Sequence, residues 1–328
     1  MNTSESQAIS PQPKLLETFR SGFNIAANHI YLLIFPLLVD LWIWFGLHLS
    51  MRGVLSGWVS QLTSLAAIPS DQLTEFTRSA QELLVERFNL MTALRSYPVG
   101  IPSLMSSRLP ILTPFGQPVT IDLQSLPAGL GWFLGLTLAG MALGTFFYLV
   151  VAQTALNGQP VWVTAIRDWP RAFWQVFCLA LVWLGIVVGI SVPFSCLVPV
   201  LVLGGISQFA LFLYMAVLAW LFFPLILSAH GIFVYHEKMS VSVMKSVQLT
   251  RLTMPTTTLF ILFSFLIIQG LDIIWRWPEE NSILVIIGLA GHAFVTTSIL
   301  AASFIYYREA DQWVQQLLRQ VILRQQAS

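Results

Sequence analysis

From Ala172 to Leu203 the chain carries no aspartate, glutamate, lysine or arginine, and only Pro193 and Pro199 punctuate the run before the pair Gly204 and Gly205. About 20 apolar residues of helix cross the roughly 30 Å of hydrocarbon in a bilayer. A stretch this long and this uncharged therefore belongs in lipid. Composition agrees, with 56% of residues hydrophobic and 9% charged, where a soluble domain has about 25% charged residues. One water-soluble core could not hide so much apolar surface, so a large part of it has to face lipid.

Six segments qualify as spans: 29–49, 130–152, 173–196, 207–234, 256–276 and 282–307. The break between the third and fourth is expected near Pro193, Pro199 and the glycine pair, as a turn or a re-entrant piece, because proline removes a backbone donor and paired glycines relax the chain. Residues 1–13 are polar and the first apolar run is long enough to span, so it reads as a retained helix and not as a cleaved signal. The expected fold class is an all-α polytopic membrane protein of about six transmembrane helices, with short interfacial helices and an extracytoplasmic cap that is partly helical and partly irregular.

Lysine and arginine set the expected orientation. Ten of the 16 lie in residues 1–28, 157–172, 235–255 and 308–328, and the other six are Arg52, Arg78, Arg87, Arg95, Arg108 and Arg276. The richer side is read as cytoplasmic. Both termini and the 235–255 interfacial loop are then inside, 50–129 is extracytoplasmic, and the host membrane is a bacterial inner membrane. Trp132, Trp275 and Trp277 at outer ends, with Trp162, Trp169, Trp174 and Trp313 at inner ends, fit an interfacial aromatic belt.

Each outward span follows a short amphipathic stretch: Leu15, Phe19 and Phe23, then Val161 to Trp169, then Val241, Met244 and Val247. This order reads as three successive units of interfacial helix, outward span and inward span. In the outer segment Ser70 is expected to cap a helix running to about Arg95, with Leu73, Phe76, Ala80, Leu83, Leu84, Phe88 and Met91 on its apolar face. From Tyr97 to Pro127 the density of proline and glycine predicts an irregular cap, and residues 71–128 are the expected surface for a membrane-protein partner.

A charged group at mid-bilayer costs roughly 2.5–3.5 kcal/mol on insertion scales, so such residues mark function or a specific structural tie. Asp40 and His292 are placed at similar mid-depth and form the candidate pair, either a proton or substrate site or a packing contact. Asp272 and Arg276, four apart, suit a helical ion pair. His230 sits near an inner end with His236 and His29 at similar depth, but no ligand spacing joins them, so neither metal nor haem is expected. The glycine pairs 131/135, 140/144 and 185/189 offer close helix contact. Cys178 and Cys196 lie in one segment ~27 Å apart along a helix and cannot bridge each other there.

Nucleophile-elbow, zincin, P-loop, Rossmann and C-x-x-C patterns are absent from the sequence. The net charge of +1 offers no field for nucleic acid. The stretch SAHGIFVYHEKMSVSVMKSVQLTR, Ser228 to Arg251, followed by a span, resembles a pattern in bacterial six-helix proteins related to the membrane domain of glycerophosphodiester phosphodiesterases. In that pattern a span ends in an acidic turn, and an amphipathic helix then carries a serine and a leucine three apart, here Ser246 and Leu249. The resemblance implies a six-span membrane layout and no activity, since the catalytic domain is missing and the outer segment is longer. The functional expectation is a non-catalytic scaffold or accessory subunit without cofactor, the alternative being a small permease or lipid-handling transporter that uses an intramembrane Asp/His pair.

Overall fold

The computed structural model describes residues 12–65, 78–79, 81–203 and 207–327. In chain order these form α1 (Leu15–Asn28), a 3-10 turn (Ile30–Leu33), α2 (Ile34–Phe45), β1 (His48–Ser50), α3 (Arg52–Leu65), a π turn (Gln81–Glu86), a 3-10 turn (Leu90–Leu94), α4 (Met105–Arg108) and β2 (Thr120–Asp122). The long helices follow: α5 (Leu126–Asn157), α6 (Trp162–Leu203) and α7 (Ser207–Phe222), then α8 (His230–Val234), α9 (Met239–Leu252), α10 (Met254–Trp275) and α11 (Val285–Ala327). The fold is all-α and polytopic. Five stretches are long and apolar enough to cross a bilayer: Leu126–Asn157, Trp162–Leu197, Phe209–Val234, Met254–Trp275 and Val285–Leu323. A sixth qualifies only as the pair Leu15–Asn28 and Ile30–Phe45, broken at His29.

Four expectations need correction. The segment 29–49 is not one helix: α2 has 12 residues, only ~18 Å of rise, and β1 follows it. At this stop Gly46 is extended, with φ −76° and ψ −170°. Its N–H donates to Trp42 O at 2.8 Å, and a Cβ there would sit 2.3 Å from the same oxygen. The third apolar span ends at Leu197, beside the expected 196, but the prolines do not stop its helix, since α6 runs 42 residues through Pro170, Pro193 and Pro199, and Gly204 and Gly205 lie outside the described residues. Proline is tolerated in membrane helices when the freed carbonyl finds another donor. Val161–Trp169 is likewise no separate interfacial helix, since α6 begins inside it, whereas α9 is set off from α10 at Thr253. The expected helix 71–95 is a π turn over Gln81–Glu86 and is broken at Asn89, and Ser70, Leu73, Phe76 and Ala80 lie outside the described residues. Asn89 is extended (φ −133°, ψ 114°), and its Oδ1 accepts Leu49 N–H at 3.1 Å and Met91 N–H at 3.0 Å. A side chain that binds two strand and turn amides interrupts helical geometry at that point.

The chain divides into two compact units. One comprises His29–Phe147 and Leu266–Thr297. Its strands β1 and β2 pair in parallel, with Leu49 opposite Ile121. Leu49, Met51, Leu90 and Met91 form a buried cluster there, with Phe88, Leu123 and Leu136 packed on it. Full burial of such a side chain is worth about 1.5–3 kcal/mol. The irregular run 94–100 lies directly on α5, where a Cβ on Gly140 would meet Leu94 O at 2.1 Å and one on Gly144 would meet Gly100 Cα at 2.7 Å.

The other unit comprises residues up to Asn28, Tyr148–Phe265 and Ser298–Ser328. In α1 the buried residues Thr18, Phe19, Gly22 and Ala26 recur every three or four positions, and Phe19 stacks on Phe260, which stacks on Tyr306 at 4.6 Å. The stretch that carries the family resemblance folds as two short helices tied by hydroxyls. Ser242 Oγ donates to Ser228 O at 2.6 Å, and Ser246 Oγ to Pro224 O at 2.7 Å.

Candidate functional site

The first of these units gathers four of the sequence-selected residues: Asp40 on α2, Asp272 on α10, Arg276 just after it and His292 on α11. Asp40 is fully buried. Its carboxylate accepts three hydrogen bonds, from Ser103 Oγ at 2.6 Å, Leu104 N at 3.2 Å and Met105 N at 2.9 Å. Ser103 Oγ accepts in turn from Ser106 N at 3.0 Å. Asp40 thus satisfies the loose amides at the start of α4 and ties the proline-rich outer segment to the helix that carries it.

Asp40 and His292, the candidate pair, make their direct hydrogen bonds to other groups. His292 places Nδ1 2.8 Å from Asp272 Oδ1, both side chains being buried. The other oxygen, Asp272 Oδ2, lies 3.6 Å from Arg276 Nη2, so the expected ion pair on α10 exists and extends to the histidine. Arg276 Nη2 also donates to Ser107 Oγ at 2.9 Å. An ionised carboxylate only accepts, so Nδ1 is the donor in this contact. The other ring nitrogen, Nε2, is buried and has no hydrogen-bond partner among the described residues. The site joins Arg276, Asp272 and His292 in one chain of contacts and leaves one histidine nitrogen unused.

His230 belongs to the other unit. Its Nε2 lies 2.9 Å from Ser303 Oγ, and its ring stacks on Tyr307. A buried imidazole held by a hydroxyl and an aromatic face is a packing element.

Around the strands, His48 is buried and its Nε2 donates to Ile43 O at 3.0 Å. Burial pushes its pKa below the ordinary histidine value, against the opposing effect of that hydrogen bond. His48 lines a cavity of about 390 Å³ together with Ser50, Arg52, Glu86, Arg87 and Thr120.

Ser103, Arg87, Arg108 and Glu280 escaped the sequence reading. Ser103-x-x-Ser106 before a short helix is a capping signal that was there to be read. The arginines were visible only as charges for orientation, and no spacing along the chain foretells that Glu280 meets Arg87 Nη1 at 2.8 Å. No family model, no curated protein and no solved structure matches the chain.

Proposed function

We propose that the protein is a non-catalytic scaffold or accessory subunit of a membrane assembly, resident in a bacterial inner membrane with both termini cytoplasmic. The observation that carries this reading is the state of Asp40. A mid-span carboxylate that serves transport needs an open coordination position, and here both oxygens are engaged by the 103–105 segment. The acid is spent on building an outer platform. That platform presents Tyr97, Phe115 and Val119 to the outside, 65%, 87% and 72% exposed, and apolar groups held on an ordered surface suit a partner protein. The resemblance of Ser228–Arg251 to the phosphodiesterase membrane domains contributes a layout to this reading and no chemistry.

The test is purification of the intact chain from native membranes in mild detergent, with mass spectrometry of what accompanies it. A stoichiometric membrane-protein partner that is lost on Phe115→Ser supports the proposal. Recovery of the chain alone overturns it. A second reading, a small permease or lipid-handling transporter, draws on the Asp272–His292 pair and its unused Nε2. Under that reading His292→Gln abolishes substrate movement while the partner profile stays unchanged.

A further inference from the structure

The link from α10 to α11, residues 276–284, borders an open cleft of about 370 Å³ lined by Arg87, Arg108 and Arg276 together with Trp277, Glu279 and Glu280. Two of the acids around it, Glu280 and Asp272, are already committed. Glu280 holds Arg87 through one oxygen and accepts Ile111 N–H at 3.1 Å through the other. Asp272 is divided between His292 and Arg276. Arg108 forms no ion pair among the described residues; its Nη2 donates to Pro278 O, and its Nη1 is buried with no partner. Burial first, then the like charges of Arg276 and Arg87, pull the Arg108 guanidinium below the ordinary arginine range, with Glu280 opposing. Charged donors left without an acceptor are costly, and an arriving anion would relieve the cost.

The geometry points to a binding site for a phosphate group in this cleft, supplied either as free inorganic phosphate or as the phosphate of a lipid headgroup. Three arginines arriving from separate segments suit a tetrahedral anion, whose oxygens accept from several directions, better than a planar carboxylate that matches one guanidinium fork. Arg108 provides the unpaired donor, its guanidinium turning to bring Nη1 onto a phosphate oxygen. The depth also fits. Helix α10 ends at Trp275, and Trp277 and Ile283 are 86% and 66% exposed beside the cleft, the pattern of an apolar span giving way to headgroups. The site stands independently of the scaffold reading.

The test uses the full chain in dodecyl maltoside, a detergent without phosphate. One arm titrates inorganic phosphate by calorimetry; the other adds phosphatidylglycerol and counts retained lipid by native mass spectrometry. Saturable binding is expected in one arm, and that arm identifies the source. Arg108→Gln should weaken it by roughly tenfold or more, the scale of a lost charge-assisted contact. Glu279→Gln should strengthen it, a gain that misfolding cannot imitate, and Arg167→Gln in the other unit should leave it unchanged. No saturation in either arm, or binding indifferent to both Arg108→Gln and Glu279→Gln, overturns the proposal.

Discussion

Asp40 shows how one acid can be needed for structure while looking like a site. The sequence marks it as exceptional because a mid-span carboxylate demands partners, and the partners are Ser103 and the amides of Leu104 and Met105. An asparagine is isosteric, but its NH2 would face an N–H or O–H that needs an acceptor. Asp40→Asn should therefore destabilise the outer segment by about 1–3 kcal/mol, the cost of a buried donor left unpaired, seen as a lower melting temperature and faster proteolysis near 103–108. An unchanged melting curve would sink this assignment. His48 gives a pH dependence. Its folded pKa is depressed from 6.5, so the unfolded chain takes up the proton first. The stability held above the unfolded value is lost as pH falls from about 6.5 through the folded pKa. Melting of the wild type should decline in that window, and His48→Gln should flatten the decline. The partner of Asp40 was not legible because hydrogen bonds across sixty residues of chain leave no periodic trace, whereas Asp272 and Arg276 were legible because helical geometry puts positions four apart side by side.

At the scale of elements, apolar runs are written along the chain and helix ends are not. Composition located every long helix, but Pro193 and Pro199 were expected to stop α6 and lie inside it. Conversely, 29–49 looked like one span, and α2 ends early at Phe45, where Gly46 turns extended. The glycine pairs teach the same lesson. All three have identical spacing, yet a Cβ on Gly140 would collide with Leu94 O while those on Gly131, Gly135, Gly185 and Gly189 would meet nothing within 4 Å. Gly140→Ala should thus cost about 1–3 kcal/mol by overpacking against backbone, and Gly131→Ala should be neutral or slightly stabilising through helix propensity. Equal effects of the two substitutions on thermal unfolding would show that the 94–100 run does not rest on α5. The motif announces a smooth helix face, and only the fold says which face is used.

For the molecule as a whole, orientation rests on the distribution of Lys and Arg, and it is open to direct test. In a chain lacking Cys178 and Cys196, cysteines replacing Gln7, Thr120 or Gln325 should divide sharply: an impermeant thiol reagent on intact cells labels the one at 120 and neither of the others. The reverse pattern inverts the topology. The parallel β1–β2 pair has a further bearing on how this chain tolerates injury. Its two feet, His48–Ser50 and Thr120–Asp122, clasp the ends of everything between them. Trp44 and Arg87 also grip Glu280, and Arg108 grips Pro278, all three from before Phe115 in the chain. A protease site engineered at the exposed Phe115–Gly116 turn would sever the peptide yet leave these clasps closed. The two pieces should therefore travel together through detergent extraction and gel filtration, separating only under denaturant. A nicked chain that persists as one particle would have a long lifetime in a proteolytic compartment, and its outer segment could be exchanged as a cassette, since loop-closure entropy rises by only about 0.6 kcal/mol for each doubling of length.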